Sequence, residues 1–386
     1  MKAAWILPVV VAAGLGQTTS SITREGNYWV QSASGAAPVS PSGRLRVSCQ
    51  GPLAVRGSAT DRITYSLKKR VKARTEAEAR RLLDGFRIDA KKKDDWTWVI
   101  VTNPGGVPAW CELELKAPRG LSHSILETGA GAVEAYDLDG SVSVETGGGR
   151  IRMDRIGHHV VIRTGGGEIK LGRIGGSLRC LSGGGSIHAG YIGGEAYFET
   201  AGGEINIGEA AGPVRTSAGA GGNIHIGHAA SSVTASTAGG LIDVLHAGGL
   251  VTAESAAGCI KIASGKGAQA ETAAGTIQLL GVSGALNAST ALGSILAELV
   301  PGGRLEDSSL FAGGGDVTVY IPSNVAVTIQ ALNQSSGGAS RIVSEFPEIR
   351  MTREGMRPAV AEGALNGGGP LLKVSTRGGM IYLRRR

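Results

Sequence analysis

The chain has 386 residues, of which 63 are glycine and only 4% are Phe, Trp or Tyr, which excludes an ordinary aromatic-rich globular core. An apolar fraction of 42% and a mean hydropathy of +0.06 exclude a chain too polar to bury a core. The formal charge of +7 gathers at Lys68-Lys69-Arg70, Lys91-Lys92-Lys93 and Arg384-Arg385-Arg386, a balance suited to acidic glycans or anionic envelope surfaces. No nucleic-acid partner is expected.

In chain order, residues 1–20 read as a secretory signal. Lys2 is the positive end, Ala3 to Gly14 the apolar stretch, and small residues around Ala12–Gly16 suit a peptidase. The apolar run is short for a bilayer span, so an exported protein without a transmembrane anchor after cleavage is expected, in the periplasm or at the cell surface. Residues 24–120 form an N-terminal cap domain, with alternating strands at Arg44–Val47, Ile63–Leu67 and Trp96–Val101. Its one good helix begins at Thr75, with Glu78 placed for a capping box. Cys49 and Cys111 both fall on strand-like stretches of this region and are the expected disulfide pair.

Residues 121–321 repeat. Val133, Ile151, Ile169, Ile187, Ile205, Ile224, Ile242, Ile260, Ile277 and Ile295 each follow a glycine-rich or small-residue cluster at steps of 17–19 residues, the signature of a solenoid. Each coil reads as a short alternating strand, a Thr-Gly-Gly-Gly-type corner, a second alternating strand and a second corner. The expected fold is therefore all-β, a parallel β-helix or β-solenoid of about ten 18-residue coils with a small α+β cap. Val144, Ile162, Cys180 and Phe198 form one inward column, thinning to Ala235, Ala253, Ala270 and Ala288; Cys259 reads as another small core residue. A Thr or Ser closes most first strands, from Thr128 to Thr290, as a hydroxyl ladder for corner amides. The coil Val214–Ser232 carries one extra residue. Residues 322–362 read as an irregular loop or hairpin, and 363–386 as the coil that closes the far end.

The Val-x-Val-x-Thr and Gly-Gly-x-Ile-x-Leu pattern, with its final Asn366-Gly-Gly-Gly-Pro and Gly378-Gly-Met-Ile-Tyr-Leu383, resembles the bacterial domain-of-unknown-function family labelled putative adhesin. The resemblance runs over about residues 40–386 and implies an envelope-exposed β-solenoid, with no catalytic residues to carry over.

The outward columns of the second strand are where chemistry would sit. One reads Arg150, Glu168, Ser186, Glu204, Asn223; the other reads Arg152, Lys170, His188, Asn206, His225, Asp243, Lys261. Glu168 and Glu204 stand two coils apart, about 10 Å at the usual strand spacing, beyond an inverting carboxylate pair. His188 and His225 are equally separated, so no metal and no cofactor are expected. The expected function is non-catalytic: an exported adhesin-like solenoid binding envelope polymers, acidic glycans or surface proteins. Its expected binding face is Arg150, Arg152, Glu168, Lys170, His188, Glu204, Asn206 and His225. The alternatives are an architectural or envelope-stress spacer whose basic cap does the recognising, and a glycan-active β-helix enzyme.

Overall fold

The computed structural model describes residues 17–40, 42–103, 109–335, 342–352 and 359–386. The signal segment expected over 1–20 lies almost wholly outside them. Among the described residues no helix is long and apolar enough to cross a membrane.

The solenoid makes about 11 turns between His123 and Ile321, two strands to a coil, every strand parallel to its equivalent in the next. The register holds to the residue. Ile151 pairs with Ile169, Ile169 with Ile187, Ile187 with Ile205 and Ile205 with Ile224. All five are fully buried, because alternation turns every second side chain inward and stacking at about 4.8 Å leaves no room for water between them. The extra residue of the coil after Val214 is absorbed at its corner, where Gly221 takes φ +86°, and the stack continues unbroken. The first-strand column runs Val144, Ile162, Cys180, Phe198, Thr216, Ala235, Ala253, Ala270, Ala288 and regains bulk at Leu310. Cys259 departs from expectation: it is exposed, since a residue immediately before an inward isoleucine must point outward.

The last position of each Thr-Gly-Gly-Gly-type corner admits little but glycine, whereas the middle glycines Gly148, Gly166 and Gly184 face open space. A Cβ on Gly185 would sit 1.7 Å from the Gly167 carbonyl oxygen of the coil before, a clash with backbone that no rotamer relieves. The buried hydroxyls lock these corners from inside. Thr200 Oγ1 donates to Gly185 O (3.1 Å) and accepts from Gly203 N (3.1 Å); Thr237 and Thr290 repeat both bonds. The ladder therefore satisfies groups that would otherwise be buried and unpaired. Two identical substitutions should differ in effect. Thr200→Val strands a donor and an acceptor, and denaturant unfolding should show a loss of about 1–3 kcal/mol. Thr216→Val removes a buried hydroxyl that has no hydrogen-bond partner, and should leave stability unchanged or raised by up to about 1 kcal/mol.

Both ends are woven. Arg44–Cys49 and Leu53–Ser58 form a rung that lies inside the later rung of Trp96–Thr102 and Ala109–Pro118, and directly against the coil at His123. The cap thus sits on two further rungs in register with the rod. Antiparallel strands then cover its outer edge: Arg62–Val71 on Ala109–Pro118, Tyr28–Pro38 beyond it, and Arg87–Lys93 on Trp96–Thr102. The helix spans Glu76–Asp84; Glu78 N donates to the Thr75 hydroxyl at 3.2 Å. Of the basic run, Lys69 turns inward and is 4% exposed, with its ammonium on Gln31 Oε1 and Leu83 O.

The far end mirrors this weave and corrects an expectation. The coil at 363–386 is not outermost. Leu371–Thr376 pairs with Ser308–Ala312 on one side and Val327–Asn333 on the other, while Ile381–Arg385 lies between Val317–Ile321 and Ile342–Ser344. The stretch read as irregular supplies the outer rung, and Ala359–Leu365 closes its edge antiparallel. An antiparallel cover denies the next molecule a parallel template.

Candidate binding face

The second-strand residues 170, 172 and 173, and their equivalents in each coil, make the outer face of the rod. The first column stacks Arg152, Lys170, His188, Asn206, His225, Asp243 and Lys261 in unbroken register, one residue to a rung. Next comes a floor of Gly172, Gly190 and Gly208. A Cβ on Gly172 would meet Asp154 Oδ1 at 2.1 Å, and one on Gly208 would meet Gly190 O at 2.7 Å. Deleting side chains along one column between two polar columns leaves a trough of about 490 Å³, walled by Tyr136, Arg152, Lys170, His188 and Asn206.

A third column was not read from the sequence: Arg173, Tyr191, Glu209, His228 and His246 also stack rung on rung. The Arg173 guanidinium lies 4.7 Å from the Tyr191 ring centroid, and the His228 and His246 rings stack at 4.8 Å. A break in the alternation hides this column: the strand carries two successive outward positions, Gly172 and Arg173, before returning inward at Ile174, with the pairing register kept. The residues do recur at the coil period, and that was the available signal.

The other expected column behaves differently. Glu168 is held between Lys170 (2.7 Å) and Arg150 (3.5 Å), and the hydrogen bond from Lys170, more than any other cause, holds its carboxyl below the usual glutamate range. Because the shift is downward, the contribution of the contact is present above the ordinary glutamate pKa and fades as pH falls through the lowered one. Glu204 is exposed and stands two rungs from Glu168, with Ser186 between, as the corner bonds from Ile169 N to Ser186 O and Ile187 N to Glu204 O require. His225 turns to Asp243 at 3.1 Å. Among the described residues no three His, Cys, Asp or Glu side chains are placed to hold a metal ion.

Cys49 and Cys111 are both buried thiols. Cys49 Sγ donates to Gly51 O at 3.1 Å and Cys111 Sγ to Asn103 Oδ1 at 3.4 Å. Burial first, then the nearby Cys49, pushes the Cys111 thiol up to about 11.

Fold and face together define a rigid parallel β-solenoid that displays in-register polar ladders along its length. No family model matches the chain and no curated protein does. Two solved structures are reported as similar to it. One is described as a putative cell adhesion protein from Clostridium sporogenes, with 11% identity, 92% of this chain and 99% of that chain covered, and a TM-score of 0.18. The other is described as a putative adhesin from Bacteroides fragilis, with 9% identity, 92% and 97% covered, and a TM-score of 0.20.

Proposed function

We propose that the protein is an exported, non-catalytic, adhesin-like solenoid that binds an extended envelope polymer, acidic glycan or surface protein along the trough. The observation that carries this reading is the Arg152–Lys170–His188–Asn206 ladder standing beside a glycine floor. Donors recur at every rung, about 4.8 Å apart, on a scaffold that cannot flex between them. An extended partner can therefore make many weak contacts whose strengths combine. Catalysis is disfavoured by the carboxylates. A glycosidase acid needs a raised pKa, whereas Glu168 is held ionised by Lys170 and stands about 10 Å from Glu204.

The test is retention of the purified chain on cell envelopes and on a panel of immobilised glycans. Lys170→Ala with His188→Ala should reduce retention about tenfold while leaving the unfolding midpoint in place, because both side chains point into solvent. Retention unchanged in that double variant would remove the trough from the binding site.

A further inference from the structure

We infer that the cap holds a second site, separate from the trough, for an acidic sugar: an aromatic corner formed by Tyr28 and Trp110 with a cationic rim. Three neighbouring antiparallel strands position it. Arg70 pairs directly with Trp110, and Lys68 with Glu112, across Arg62–Val71 and Ala109–Pro118; Tyr28 opens the next strand, Tyr28–Pro38. The two rings meet edge to face, 5.5 Å apart at 87°. Together with Pro52, Lys68, Arg70 and Glu112 they line a hollow of about 310 Å³.

Three observations point to a ligand of this class. First, Trp110 is 46% exposed. A rigid indole left half in water carries a large apolar surface that binding would cover. Second, the Arg70 guanidinium and the Lys72 ammonium stand 5.7 and 5.8 Å from the Tyr28 ring centroid, within cation–π range. The cations are thereby held at the rim of the hollow. Third, residues 24–120 contain 18 Lys and Arg against 10 Asp and Glu, a net +8 beside +7 for the whole chain. The cap therefore carries the protein's net positive charge.

The chemistry selects among anions. A pyranose offers an apolar C–H face to the indole and a carboxylate or sulfate to Arg70 and Lys72. Its hydroxyls can donate to Glu112 and to Glu25, which lies 3.2 Å from Lys68. Those two carboxylates favour a ligand dense in hydroxyls over the phosphodiester backbone of a nucleic acid, and the exposed indole favours one with an apolar ring face over a bilayer headgroup.

The experiment titrates the purified chain with a galacturonic acid oligomer at low salt, following tryptophan fluorescence and heat. A neutral maltose oligomer, phosphatidylglycerol vesicles and single-stranded DNA serve as comparisons. Binding of the acidic oligomer should weaken about tenfold or more in Trp110→Ala and again in Arg70→Gln, with both variants unfolding at the parent temperature. The same binding should be untouched by Lys170→Ala with His188→Ala, so failure here and failure of the trough are read separately. Undiminished affinity in either cap variant, no binding of the acidic oligomer, or binding confined to the neutral oligomer, vesicles or DNA would overturn the proposal.

Discussion

A chain stopped after Pro370 is expected to aggregate and not to fold as a shorter rod. The missing segment is the penultimate rung, and it holds the outermost one in place. Truncation removes Leu372, Val374, Ile381 and Leu383, each at most 1% exposed, at roughly 1.5–3 kcal/mol of burial apiece. It also removes the groups that tie neighbouring rungs together. Asn333 Nδ2 loses Gly379 O (2.8 Å), and Asp316 Oδ1 loses Met380 N (2.7 Å). The strands Ser308–Ala312 and Val317–Ile321 would then present unpaired, flat, aliphatic edges, the template for chain-to-chain pairing. Size-exclusion chromatography with an amyloid-binding dye reads the outcome. A stop after Leu383 keeps the rung's core and should elute, and respond to the dye, as the full chain does. A monomeric, fully folded product from the Pro370 stop would show that the weave is dispensable.

Phe198→Ala should be the costliest single truncation in the rod, about 3–5 kcal/mol. Phe198 is fully buried and is the largest such side chain among the described residues. Its column neighbours are Cys180 below and Thr216 above, both small, so the ring fills space that three rungs share. Those rungs cannot close on the void, because corner bonds such as Thr200 to Gly185 fix their spacing. Phe198→Leu should recover more than half of the loss. Guanidinium unfolding of the three proteins measures it, and an alanine cost below about 1 kcal/mol would mean that the column relaxes freely.

Much of the rod was legible because its determinants are local and repeat. The branched residue after each corner fixes the register, the Thr or Ser before it fixes the inner hydroxyl, and parity fixes which residues are wet as far as the break at Gly172–Arg173 and its equivalents. Ile169 over Ile187 and Lys170 over His188 follow from that alone. Cys259 obeys the same parity, which turns it outward whatever its size suggests. Of the rungs at 44–58 and 96–118, the sequence pattern shows the strands at Arg44–Val47 and Trp96–Val101 and a strand-like stretch at Cys111, but neither the strand at Leu53–Ser58 nor the coils. These rungs lack the Thr-Gly-Gly-Gly-type corner, although Gly51 turns the first of them, and residues 59–95 interrupt them with Arg62–Val71, the helix and Arg87–Lys93. The weave at either end depends on which distant strand wins a pairing, and no spacing encodes that choice. The same holds for the Tyr28–Trp110 corner, which joins residues 82 positions apart in the chain.

The interlaced termini also fix an order of assembly. A polypeptide released from its amino end cannot begin winding there, since the strand at Arg44 lacks both flanking partners until residues near 100 and near 125 have arrived. Nucleation must fall in the middle coils, whose partners are only 18 positions away, with the two extremities laced on last. Unwinding should run the same course backwards, so the first protease cuts in a warmed sample should fall outside 141–299.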